Sequence, residues 1–180
     1  MWQVSAVLGA VLETPPELDR FQGLLDSSGA GAGEHLRSII TDERRLDAPG
    51  LCAGLTGMRL LTVATVTADG RPLTGPVDGY FLHGAFWFST SSHSVRARHL
   101  SARPVISVNH VPDDHFAVSA HGSATVFPFP GPDTNELRQA MLDHYLPLQG
   151  PSFRDWLDGL IDGVAVRVDA AKLFVFHMSS

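Results

Sequence analysis

The chain has 180 residues, 44% of them hydrophobic and 18% charged, with a formal net charge of -6. That size and balance suit one globular domain, or one with a helical extension, and exclude a disordered chain. The acid excess argues against a general nucleic-acid or membrane-surface binder, and Cys52, the single cysteine, excludes an intrachain disulfide and a cysteine-rich metal site.

The opening segment "MWQVSAVLGAVLE" is apolar, has no basic start and soon meets Glu13 and the Pro15-Pro16 pair. A signal peptide needs a positive start and a membrane span about twenty apolar residues, so this reads as a packed N-terminal segment of a cytoplasmic protein. Two helices are expected next, over "PPELDRFQGLLDSS" and "GEHLRSIITDERRLDA", separated by the flexible "GAGAG". Leu36, Ile39 and Ile40 make an apolar stripe on the second that should face another element. Composition changes near Gly57, which divides the chain into a helical extension, residues 1–57, and a β-rich domain, residues 58–180.

"RLLTVATVT" is β-branched and ends at Asp69-Gly70, a strong hairpin turn signal. The returning strand "PLTGPVDGYFL" contains Gly75-Pro76, which suggests a bulge or an edge position. A short turn at His83-Gly84 leads into "AFWFST", a helix should start near Ser94, and Pro104 opens the strand "PVISVNHV". In "HFAVSAHGSATVF", Phe116, Val118, Ala120, Ala124 and Val126 fall on one face, while His115, Ser119, His121, Ser123 and Thr125 fall on the other. "GPDTNELRQAMLDHYL" reads as a helix with Asp133 and Glu136 at capping-box spacing. "SFRDWLDGLID" is a shorter helix, and "VAVRVDA" and "LFVFHM" are two more strands. Strands joined by tight turns with single helices inserted indicate an antiparallel sheet, which with around six strands closes into a small barrel. The fold class is mainly β, of α+β type.

The chemistry concentrates in "WFSTSSHSVRARHL". A helix N-terminus exposes unpaired N–H groups and favours anions. Here Ser89, Thr90, Ser91, Ser92 and Ser94 precede it and Arg96 lies in its first turn, a set able to hold a phosphate. The same residues also suit a plain helix cap. No metal site is expected: His115 and His121 share a face but stand about 20 Å apart at strand rise, and no HExxH motif occurs. Nor is there a G-x-S-x-G elbow, and Cys52 in "GLCAGL" has no adjacent base. Glycine-rich nucleotide motifs are absent.

From "LLTVATVTADGRPLTGPVDGYFLHGAFWFSTSSHSVRARHLSARPVISVNHV" and the glycine of "SAHGSATVF", the chain resembles the flavin-binding split-barrel family related to pyridoxamine-phosphate oxidase. The resemblance implies a six-stranded antiparallel split barrel of Greek-key type with flanking helices. It also implies a homodimer, with FMN or a deazaflavin held between subunits, acting on a small-molecule substrate. It places Ser89 and Thr90 at the strand end touching the cofactor phosphate or ribityl chain, and Ser94 and Arg96 at the phosphate. Pro76 and Val77 fall where backbone runs along the flavin ring. Three departures stand out: "TGPVDGY" lacks the family's basic residues, Val95 replaces a second basic residue beside Arg96, and the end "LFVFHMSS" lacks the substrate motif of the B6 oxidases. These point away from vitamin B6 oxidation and towards another flavin-dependent oxidoreductase. FMN is favoured over deazaflavin because the chain is acidic and lysine-poor. A non-enzymatic flavin- or haem-binding barrel is the rival reading, and no general acid or base is assigned.

Overall fold

The structure is a computed structural model that describes residues 12–178, so most of the opening apolar segment lies outside the described residues. Six strands form one closed antiparallel barrel: β1 (Arg59–Val66), β2 (Pro72–Leu82), β3 (Ala85–Ser91), β4 (Val105–His110), β5 (Phe116–Pro128) and β6 (Gly163–His177). Their order around the barrel is β1-β2-β3-β6-β5-β4. The expected pair of C-terminal strands is a single one, because β6 continues through a bulge. His121 pairs with Lys172 and Gly122 with Ala170, so Ala171 is the extra residue. The bulge bends the strand without ending its ladder. Gly122 is required there: a Cβ on it would sit 2.1 Å from the Asp169 carbonyl oxygen.

Alternation decides what is inside. Val118 and Ala120 of β5 are fully buried, as are Leu61 of β1, Phe88 of β3 and Val166 of β6, and they share one core. Among the helices, α1 (Pro15–Ala30) is the long N-terminal one, held at its start by a Thr14–Glu17 capping box. The second expected helix is cut short. Only α2 (Glu34–Ile39) forms, followed by a 3-10 turn at Asp42–Arg44, and none of its residues is buried. Leu36 and Ile40 instead line an open cavity of about 750 Å³ with Leu25 and Phe174. An unexpected helix, α3 (Ala48–Gly54), does the packing, with Asp47 accepting from the Gly50 N–H at its start. Its Leu51 and the Leu55 that ends it are fully buried in the barrel's core.

The Asp69-Gly70 turn forms, with Gly70 at φ +86°. His83-Gly84 is a tight two-residue turn with φ +52° and +77°, the conformation that matches strand twist in hairpins. Helix α4 (Val95–Ala102) follows β3, and α5 (Asn135–Gln149) and α6 (Ser152–Asp158) lie between β5 and β6. The cap of α5 is Thr134 rather than Asp133, because a 3-10 turn at Pro132–Thr134 precedes the helix. Helices α5 and α6 cover the outer face of β2 and β3, packing Leu137, Leu142, Phe153 and Leu157 against Tyr80 and Leu82. Among the described residues no helix is long and apolar enough to cross a membrane.

Candidate functional site

Strands β2 and β3 pair only from Gly79–Phe88 to Leu82–Ala85. Before Gly79 the two strands part, and β2 keeps only its β1 partner, with Thr62 opposite Pro76. Gly75-Pro76 therefore sits in an edge segment, in unbroken register with β1 and without a bulge. In an antiparallel strand the N–H and C=O of one residue point to the same edge, so Pro76 removes no ladder bond on the β1 side. Its carbonyl is taken up by Arg96 Nη1 at 3.3 Å.

Arg96 stands in the first turn of α4. It is half-buried, desolvation lowers its pKa from the ordinary arginine value, and it forms no ion pair among the described residues. Gly75 makes room for it: a Cβ there would stand 3.0 Å from Arg96 Nη2. A guanidinium held by one carbonyl, partly out of water and lacking a carboxylate, is suited to an anion.

Ser94 is the N-cap of α4, accepting from Ala97 N–H at 3.1 Å and from Thr90 Oγ1 at 3.2 Å. With both contacts accepted by Ser94, its own proton has no partner among the described residues. The helix cap and the anion seat are thus one arrangement. Ser91 is used locally, accepting from His93 N–H, and Arg98 is turned back onto the His93 carbonyl.

The six residues expected at the site divide. Pro76, Val77, Ser89 and Arg96 line one groove of about 590 Å³. Thr90 and Ser94 pair with each other next to it. Ser89 and Thr90 are consecutive in a strand and point to opposite faces. Ser89 faces α5, within 3.8 Å of Met141 Sδ, while Thr90 faces the start of α4. Val77 has its side chain in the barrel core.

Seven further residues line the groove: Asp78, Tyr80, Met141, Tyr145, Gln149, Phe153 and Trp156. Tyr145 of α5 donates to Asp78 of β2, tying the helix to the strand across the groove. Phe153 stacks between Tyr145 and Trp156 at centroid distances of 4.7 and 5.4 Å. Tyr80 is buried and its hydroxyl has no hydrogen-bond partner. Burial, then the charges of Tyr145, Asp78 and Asp143, keep that phenol protonated by raising its pKa. The period-2 face Pro76, Asp78, Tyr80 was a usable signal; the α5–α6 wall was not, because it lies over 60 residues away.

Against this geometry, the family model described as pyridoxamine 5'-phosphate oxidase matches residues 52–154. The chain belongs to this family. No curated protein matches the chain. Among solved structures, the conserved hypothetical protein Rv2991 of Mycobacterium tuberculosis is similar at 20% identity and TM-score 0.61, over 78% of this chain and 95% of that one. HutZ, the haem storage protein of Vibrio cholerae, is similar at 20% identity and TM-score 0.56, over 66% and 86%. A structure named F420 reductase is similar at 18% identity and TM-score 0.50, over 67% and 92%. At these identities the likenesses show the oxidase-family fold alone. Within that fold, the residues matched by the family model include the β2–β3 gap, α4, α5 and the start of α6, but not Trp156.

Proposed function

We propose that this chain binds FMN in the β2–β3 groove and acts as a flavin-dependent oxidoreductase on a small molecule. The observation that carries the reading is Arg96: half-buried, without a carboxylate partner among the described residues, and accommodated by Gly75, two residues on from the Ser94 cap. A phosphate would meet Arg96, the Ser94 hydroxyl and the N–H groups at the start of α4. Ser89 and the edge backbone of Pro76 and Val77 would border the rest of the cofactor. When bound, the flavin supplies the redox chemistry; the protein supplies binding, orientation and exclusion of water.

Two features favour FMN over cofactors with longer or bulkier groups. Arg96 is the only cation among the groove's lining residues and Asp78 is an acid among them, which suits one phosphate better than a polyanionic tail. None of those residues is a histidine that could ligate haem iron. The outer face of β1 and β4, uncovered among the described residues with Leu60 61%, Val105 59% and, just past β4, Val111 61% exposed, fits a second copy of the chain. Pro76 and Asp78 lie on the adjoining strand opposite Thr62 and Leu60, so dimerisation through this face would bring the partner to the groove's rim.

The test is a titration of the apoprotein with FMN followed by flavin fluorescence. Losing a charge-assisted contact of about 1.5–3 kcal/mol should weaken FMN binding about 10- to 100-fold in Arg96→Ala. Unchanged affinity would overturn the assignment, as would a deazaflavin or Soret band in the spectrum of freshly purified protein.

A further inference from the structure

We propose that the half of this groove away from Arg96 is a subsite for an organic cation with a compact or flat apolar body, seated on Asp78 and the Tyr145–Phe153–Trp156 wall. The inference rests on the FMN reading for the cation's role as the molecule the flavin acts on; the cation's binding does not depend on it.

The argument starts from charge. Asp78 follows Pro76 by two strand positions, about 7 Å further along β2. It is exposed, and its side-chain partner is the neutral Tyr145 hydroxyl. Among the described residues it forms no ion pair, although Arg96 lines the same groove. The groove therefore holds both a cation and a carboxylate, neither of which is ion-paired among the described residues. Asp143 of α5 adds negative charge near Tyr80.

Shape and surface agree. Tyr145, Phe153 and Trp156 form a continuous aromatic run with interplanar angles of 34° and 36°. Its outer member, Trp156, is 55% exposed, a large area for an indole on a groove wall. Aromatic faces beside a carboxylate attract ammonium-type cations and repel carboxylates and phosphates. The buried Tyr80, also among the lining residues, has a hydroxyl with no hydrogen-bond partner.

The probe is phenyltrimethylammonium, with benzyl alcohol and benzoate as neutral and anionic comparators, titrated by calorimetry into the apoprotein and into FMN-saturated protein. The expected result is binding in the order cation, neutral, anion. Asp78→Asn should weaken the cation about tenfold, Asp78→Glu should largely retain it, and Trp156→Ala should weaken it about threefold. Both positions are exposed, so folding is checked by circular dichroism; should Asp78→Asn fail to fold, Trp156→Ala carries the test. Equal binding of benzoate, or cation affinity unchanged in Asp78→Asn and Trp156→Ala, overturns the subsite. Arg96→Ala should lose FMN and keep the cation. Wild-type protein that binds the cation but not FMN would uphold the subsite and refute the FMN reading alone.

Discussion

The most direct probe of the anion seat leaves Arg96 itself in place. In Gly75→Ala the added methyl would stand 3.0 Å from Arg96 Nη2, closer than carbon and nitrogen ordinarily approach. The near atom is the end of a flexible side chain, so the guanidinium gives way by a few tenths of an ångström rather than the strand. The 3.3 Å bond to the Pro76 carbonyl is already long, and this shift would break it. Hydrogen bonds to charged groups contribute about 1.5–3 kcal/mol, and misplacement forfeits part of that, about 1 kcal/mol, or about fivefold in FMN affinity. Stability should hardly change, since replacing glycine also restricts the unfolded chain. Flavin fluorescence titration reads the affinity, and thermal unfolding provides the control. If the seat works through Arg96, Gly75→Ala should have no effect in an Arg96→Ala background. An equal loss in both backgrounds, or no loss in either, would refute the reasoning.

Three further outcomes follow from the geometry. His83 has Nδ1 3.1 Å from Glu17 and Nε2 3.0 Å from Glu136, so only the doubly protonated ring satisfies both carboxylates. Burial opposes that charge, but the bonds and charges of Glu17 and Glu136 together raise its pKa above 6.5. Its contribution is complete below about pH 6.5 and lost as pH rises through the folded value. Thermal midpoints measured from pH 5.5 to 9 should therefore fall more for wild type than for His83→Gln; parallel curves would contradict this. Cys52 is buried and its thiol is pushed up to about 12, chiefly by burial, so a disulfide reagent at pH 8 should label it only after unfolding. Gly122→Ala would drive a methyl into the Asp169 carbonyl at the β5–β6 bulge. It should cost at least about 3 kcal/mol in urea unfolding or prevent folding, and a wild-type midpoint would show that the strands separate easily there.

Local pattern carried most of the barrel. The alternation of Phe116, Val118, Ala120 and Ala124, and the turn residues Asp69-Gly70 and His83-Gly84, are short-range signals that chain neighbours suffice to express. The same holds for the Ser94 cap and Arg96, which are two residues apart on one helix start. Three misreadings share a cause. Leu36, Ile39 and Ile40 have helical spacing, but the helix ends at Ile39 and Leu36 and Ile40 only line an open cavity, whereas the small apolar run of α3 packs into the barrel's core and is buried. "VAVRVDA" and "LFVFHM" look like two strands because the interruption is a bulge, visible only against its partner β5. The wall facing Ser89 and Asp78 depends on Met141 and Tyr145, and no spacing rule relates residues so far apart.

The barrel's strand order also governs when the molecule can exist during synthesis. Strand β6 lies between β3 and β5, so the ladder stays open until residues 163–177 have emerged. The earliest long helix depends on that same strand: α1 rests on β6, and the Leu173 N–H donates to Ser28 Oγ at 2.9 Å, 145 positions away. Helix α1 is made before the barrel strands and completes its docking only with β6. Until then its apolar side is only partly covered: Phe21 can meet Phe81 of β2, but the surface that β6 offers the helix is missing. Long-range closure of this kind slows folding, and it makes strand β6, rather than any helix, the element whose arrival completes the core and the seat of α1 together.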